Sequence, residues 1–254
     1  MKIVRFAAQG RVEYGILEGE SIQAIEGEPF SSITLADRYY PLSEVRLLAP
    51  CLPSKIVAMG LNYRKHAEEV GAPIPKNPLI FLKPPTAIIG PEDNIVHPPS
   101  STRVDYEGEL AVVIKKETRH VSEAEALDYV LGYTCLNDVT ARDYQRDDVQ
   151  WTRSKGFDTF APLGPCIETE LDPANVNLET WLNGELKQQT NTSDLIYPVT
   201  TQISFISEVM TLLPGDIIAT GTPSGIGRMK PGDRVEIKIE SIGTLRNYIV
   251  KNSG

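Results

Sequence analysis

The chain has 254 residues, is 41% hydrophobic and 23% charged, and carries a formal net charge of −9, enough for one large domain, or a main domain with an appendage, around a sizeable core. Lysine and arginine are scattered rather than striped, which excludes nonspecific binding to nucleic acid and favours small ligands and metal cations. No segment approaches the roughly 20 apolar residues of a spanning helix, and the N-terminus meets charge and glycine early, so a cytoplasmic protein without membrane association is expected.

In chain order, residues 1–50 read as a small β-rich N-terminal domain. "KIVRFAA" and "VEYGILEG" are strands about a Gln9-Gly10 turn, and the segment from Pro29 to Pro50 is too broken by proline and serine for a long helix. "APCLPSK" marks a boundary, after which a second domain covers 54–254. Cys51, Cys135 and Cys166 are odd in number, far apart and in no CxxC pair, which predicts reduced, packed thiols rather than disulfides or a thiolate zinc site.

"KIVAMG" then predicts a strand, and "NYRKHAEEVG" a short helix stopped by Gly71, too polar to belong to the core. His66 and Glu69 fall three apart on that helix, so the carboxylate can orient the ring as a general base requires; such pairs are also common on solvated helices. His97 and His120 read as structural or exposed. Prolines limit residues 77–102 to short strands and turns.

"RVDYEGELAVVIKK" follows, residues 103–116. Leu110 to Ile114 run without a polar break and predict a buried strand, yet Asp105, Glu107 and Glu109 precede them at every second position, on one face of an extended chain. These acids fit either a solvated strand face or a hard divalent cation such as Mg2+ or Mn2+. Gly108 lies between two of them, where another group can approach the backbone.

"SEAEALDYV" predicts a helix with a Ser122–Glu125 capping box. "LGYTCLND" is a strand entering the polar helical segment "VTARDYQRDDVQ". Asp138 sits at that junction as a helix cap or a further ligand, and Arg142 and Gln145 share a helical face. Lys155, among small and aromatic residues in "WTRSKGFDTFAPLGP", is either exposed or an ammonium set inside a site. Further on, Asn183-Gly184 predicts a tight hairpin and "VTTQISFISEVMTL" an amphipathic helix. Pro-Gly-Asp turns at 214–216 and 231–233 introduce two more strands. Strands outnumber helices without regular alternation, so the class is α+β, β-dominated.

"DYEGELAVVI", "GYTCLNDVTARDYQ", "SKGFDTFAPLGP" and "GDIIATGTPSGIG", in this order and spacing, resemble the fumarylacetoacetate hydrolase family, whose catalytic domain would cover residue 54 to the C-terminus. The resemblance implies a mixed β-sandwich or roll, a homodimer, and Mg2+ or Mn2+ held by Glu107, Glu109 and Asp138, with Asp105 beside them. It places Arg142, Gln145, Lys155 and Thr222 against the substrate or its developing oxyanion, and matches His66 and Glu69 to the dyad that hydrolytic and decarboxylating members carry on a mobile lid. The N-terminal 50 residues resemble the small domain of short bacterial members rather than the larger one of the animal fumarylacetoacetate enzyme, which counts against fumarylacetoacetate as substrate. "GTPSGIG" lacks the GK[ST] ending of a nucleotide loop.

The resemblance implies an enzyme of 2-oxo or 1,3-diketo acids that cleaves a C–C bond, as an acylpyruvate-type hydrolase or an oxaloacetate decarboxylase or tautomerase. One alternative is a 2-hydroxyhepta-2,4-diene-1,7-dioate isomerase or 5-oxopent-3-ene-1,2,5-tricarboxylate decarboxylase of aromatic catabolism. A different class is a non-catalytic protein that binds metal and an oxo-acid; it would not need His66.

Overall fold

The run Leu110–Ile114 forms the middle of the molecule because both of its faces are covered. In the computed structural model, which describes residues 1–252, these residues lie in the strand Gly108–Ile114, buried along its whole length. Leu110, Val112 and Ile114 pack into one apolar cluster and Ala111 and Val113 into another, as a side-chain period of two requires. A strand covered on both sides reads as a continuous apolar run rather than an alternating one.

That strand belongs to a 12-stranded sheet. It pairs antiparallel with Val130–Asn137 on one side and Ile217–Ala219 on the other. The sheet continues through Ile56–Gly60 to Leu79–Lys83 at one edge. In the other direction it passes through Ala161–Glu168 to Lys2–Ala8, where Lys2 faces Glu168 and Ile3 faces Ile167, so the N-terminal meander extends the same sheet. A five-stranded sheet, including Asn177–Leu182, Arg234–Ile239 and Gly243–Lys251, packs on the first, with Ile237 and Leu245 in the same cluster as Leu110 and Val112. The architecture is α+β with strands dominant, in the manner of a mixed sandwich.

Helix α1 (Arg64–Val70) ends where Gly71 turns into the left-handed region at φ 66°, the usual glycine stop. It is less peripheral than its polarity suggests, since His66 and Ala67 are buried. Helix α2 spans Arg142–Asp147, α3 Thr152–Lys155 and α4 Val199–Val209. α4 presents Val199, Ile203 and Ile206 to the core, as its spacing predicts. Gln9 and Gly10, and Asn183 and Gly184, all take positive φ, the geometry of tight hairpin turns. The three cysteines are free and buried.

The helix expected over "SEAEALDYV" shrinks to a 3-10 turn, Ala126–Tyr129. Ser122 Oγ bonds the Glu125 carboxylate at 2.5 Å, so the two side chains satisfy each other and cap no backbone; the chain must also be extended from Val130 onward. Asp138 likewise caps nothing, because α2 starts after Ala141 and has no side-chain cap. Among the described residues no helix is long and apolar enough to cross a membrane.

Candidate active site

The strand carrying the acids belongs to two sheets in succession. Val104–Tyr106 pairs with Thr140–Ala141 and Gly227–Met229 in a small three-stranded sheet, and Gly108–Ile114 then joins the large one. Glu107 is the joint. Its N–H donates to Asn137 Oδ1 at 2.9 Å and its carbonyl accepts from the Asp138 N–H at 2.8 Å, which sets Asp138 beside it although 31 residues separate them in sequence. Gly108 permits the approach of a neighbouring hairpin. An added Cβ there would clash with Thr180 Oγ1 and lie 3.0 Å from Ile237 Cδ1, while its N–H donates to Gln188 Oε1 at 3.0 Å.

Glu107, Glu109 and Asp138, all buried, each offer an oxygen within 4.8 Å of the others. Burying three carboxylates together is costly unless cations balance them. Lys155, itself buried, reaches Glu107 at 2.7 Å and Asp138 at 2.5 Å. Arg142 donates to Glu107 through Nη2, to Asp105 through Nε at 2.9 Å and to Gln145 Oε1 through Nη1 at 2.6 Å. Asp105, completely buried, therefore acts through Arg142, and Arg103 closes its other side at 2.9 and 3.0 Å.

These contacts divide the two glutamates. Burial alone would raise the Glu107 pKa, but Arg142 and Lys155 outweigh it and hold the group down to about 2. Glu109 goes the other way, pushed well up by burial and then by Asp138 and Glu107. Its carboxylate accepts the Gly221 N–H at 2.8 Å, and among the described residues it forms no ion pair. A set of hard oxygens with a deficit of positive charge at Glu109 suits Mg2+ or Mn2+.

A cavity of about 710 Å3 opens onto this cluster, lined by Glu107, Glu109, Arg142, Gln145, Lys155, Thr222 and, from α1, His66. His66 Nδ1 lies 2.8 Å from Glu69 Oε2, and Glu69 Oε1 accepts the Gly225 N–H at 2.9 Å. The dyad is thus pinned to the 220s loop, and Nε2 is the ring nitrogen left for the cavity. Thr222 lines the cavity too, and its hydroxyl donates to the Gly108 carbonyl at 3.0 Å and accepts from Gln188 at 2.9 Å. His97 and His120 bond Pro98 O and Glu208 instead.

Two residues at the site escaped the sequence reading. Lys83 ends an apolar strand with its ammonium fully buried, 2.6 Å from Asp138 Oδ1. Burial pushes its pKa down, against the pull of Asp138. Gln188 joins the backbone at Gly108 to Thr222 and Pro223. A lysine interrupting an apolar run before "PP" was the available signal for the first; the second has none.

Residues 55–250 match the family model described as fumarylacetoacetate (FAA) hydrolase C-terminal, and residues 1–50 one described as Rv2993c-like, N-terminal. The chain is 46% identical to the crystallised 5-carboxymethyl-2-hydroxymuconate delta-isomerase from Mycobacterium smegmatis, with a TM-score of 0.95 over 99% of this chain and 100% of that one. It is 44% identical over 223 residues to the mitochondrial oxaloacetate tautomerase FAHD2B of Bos taurus, covering 83% of this chain and 71% of the relative. It also superposes, at TM-score 0.84 and 32% identity over the full length of both chains, on a maleylpyruvate hydrolase from Sphingobium sp. SYK-6 in complex with manganese(II) ion and pyruvate.

Proposed function

The chain belongs to the fumarylacetoacetate hydrolase family, and from that premise we propose that it is a divalent-metal-dependent enzyme of 2-oxo or 1,3-diketo acids that cleaves a C–C bond, as an acylpyruvate-type hydrolase or an oxaloacetate decarboxylase. The observation that carries the reading is the buried triad Glu107, Glu109 and Asp138, in which Glu109 forms no ion pair among the described residues and, with Glu107, opens to a cavity that also holds His66. Mg2+ or Mn2+ held by the triad would supply Lewis-acid polarisation of the substrate's 2-oxo group and offset enolate charge.

The chain's own residues do the rest. Lys155 has three N–H donors and spends two on Glu107 and Asp138; Arg142 has five and spends three. The remaining donors bind the anionic head of the substrate and the oxygen on which charge develops. His66 takes a proton at Nε2 while Glu69 holds Nδ1, which activates water against the distal carbonyl or returns a proton to carbon after the bond breaks. The working unit in this reading is a cytoplasmic homodimer.

A second reading is isomerisation or tautomerisation of a hydroxy-diene-dicarboxylate or of oxaloacetate, in which the dyad carries a proton between two positions of one substrate. The relatives named an isomerase and a tautomerase favour it. Chelator-treated protein, assayed by NMR with and without Mg2+ or Mn2+ on oxaloacetate, acetylpyruvate and a hydroxy-diene-dicarboxylate, separates the two. Metal-dependent release of pyruvate supports cleavage, and movement of the double bond without release supports isomerisation. Metal-independent turnover, or none with metal bound, sinks both.

A further inference from the structure

The cavity is far larger than a four-carbon oxo-acid needs, since pockets of ~300–1,000 Å3 enclose drug-sized ligands. Its charged side ends at Lys155, whose Nζ lies 5.0 Å from the centroid of the Phe81 ring. Beyond that ring the surface is apolar. Phe81 meets Trp151 edge to face, centroids 5.3 Å apart and planes at 77°. Trp151 in turn lies over Gly60, where an added Cβ would come within 2.8 Å of the indole and 2.9 Å of Leu79 Cδ2. Residues from two strands and the start of α3 thus assemble one continuous wall.

The wall faces the cavity, although Phe81 also packs at its back on a buried apolar cluster. Phe81 and Trp151 are each half-buried and Leu79 is 44% exposed, whereas the carboxylates beside them are shut from solvent. Val70, at the end of the helix that brings His66, lines the same cavity, so a further element offers apolar atoms to it. A further cation lining the cavity is Arg146, which is exposed and bound to Asp147 at 2.9 Å. A ligand carboxylate there would compete with that neighbour and with water, whereas an aryl or alkyl group would gain apolar contact and the edge-to-face geometry that rings favour.

We propose that the substrate's end distal to its 2-oxo acid head is an apolar acyl or aryl group seated on Phe81 and Trp151, an inference that rests on the 2-oxo acid reading above. The test is calorimetric binding of pyruvate, phenylpyruvate and oxaloacetate to the Mn2+-loaded protein and its variants. Phenylpyruvate is expected to bind at least about tenfold tighter than pyruvate, through burial of its ring. Trp151→Ala and Phe81→Leu should abolish that ratio and leave pyruvate affinity within about twofold, while Trp151→Phe, which keeps a ring and guards against misfolding, should retain most of it. Equal binding of the two ligands, or a ratio that survives both wall variants, overturns the inference and leaves the 2-oxo acid reading intact. So does tighter binding of oxaloacetate that is lost in Arg146→Ala, since the distal end would then be a carboxylate. Binding of none of the three overturns the 2-oxo acid reading and this one with it.

Discussion

Lys83 holds Asp138 by an ion pair of 2.6 Å from which solvent is shut out on both sides. Its remaining donors reach the carbonyls of Val139 at 3.3 Å and Lys155 at 2.6 Å, so all three N–H bonds have acceptors. One side chain thereby orients a carboxylate of the triad, directs its Oδ2 to Lys155, and anchors the backbone from which Lys155 projects. Lys83→Met keeps the volume and removes the charge. Unfolding in urea should show the chelator-treated variant weaker by about 1–3 kcal/mol, since Asp138 loses one of its two buried cations and keeps Lys155. Mn2+ affinity should fall about 10–100-fold, as for other groups that orient a ligand. Lost stability with unchanged Mn2+ affinity would mean the pair serves the fold alone.

Glu107 and Glu109 are two residues apart and should respond oppositely when neutralised. Glu107→Gln takes one of two carboxylates from each of Arg142 and Lys155, which keep Asp105 and Asp138, and in metal-free protein should cost about 1–3 kcal/mol. Glu109→Gln replaces a buried carboxyl that forms no ion pair among the described residues and whose charge burial disfavours, so the metal-free variant should be as stable as the parent or more so. Both substitutions should lose Mn2+ binding and metal-dependent turnover. Thermal melts of the chelated proteins decide the stability contrast, and retained Mn2+ affinity in either variant would remove that residue from the ligand set.

His66→Ala should lower kcat by about 10^2–10^4, the range for a positioned acid–base group, with Mn2+ affinity within about twofold of the parent. Glu69→Gln should fall between, since it weakens the hold on Nδ1 and changes the contact with Gly225. Parallel losses of turnover and metal affinity would place the dyad in the structure of the metal centre instead.

What the sequence disclosed here was local or periodic. The turns at Gln9-Gly10 and Asn183-Gly184 and the glycine stop of α1 follow from backbone chemistry at those positions, and the side-by-side acids follow from the two-residue repeat of a strand. That Asp138 joins them depends on a hydrogen bond across 31 residues, which no periodicity encodes; its place at a strand end left it a helix cap or a further ligand, and the family resemblance chose between them. Lys83 and Gln188 come from a distant edge strand and a distant hairpin, and their roles exist only once the sheets stack. The capping box failed because its two side chains found each other and the chain had to become extended directly afterwards.

The cysteines give a pH dependence whose sign is fixed by burial. Burial pushes the thiols of Cys51 and Cys166 from 9.0 up to about 12 and raises Cys135 as well, with Cys166 adding to it. Below pH 9 both folded and unfolded chains keep these protons, and the thiols leave stability unchanged. Above 9.0 the unfolded chain releases them while the folded chain retains them, so stability falls as pH rises towards 12, by about 1.4 kcal/mol per thiol per pH unit. Buried tyrosines such as Tyr106, raised from 10.0 to about 12, act in the same direction but start later, and Lys83, lowered by burial, acts oppositely and equally in parent and cysteine variant, so the difference between the two from pH 9 to 10 reports the thiol. Denaturant midpoints across that interval should decline steeply in the parent and about a third less in Cys51→Ala, compared with its own stability at pH 8. A thiol reagent at pH 8 should find no reactive cysteine in the native protein and three after unfolding, since only the thiolate reacts. An unchanged slope in Cys51→Ala, or prompt labelling of the native chain, would show that this thiol ionises in the folded state.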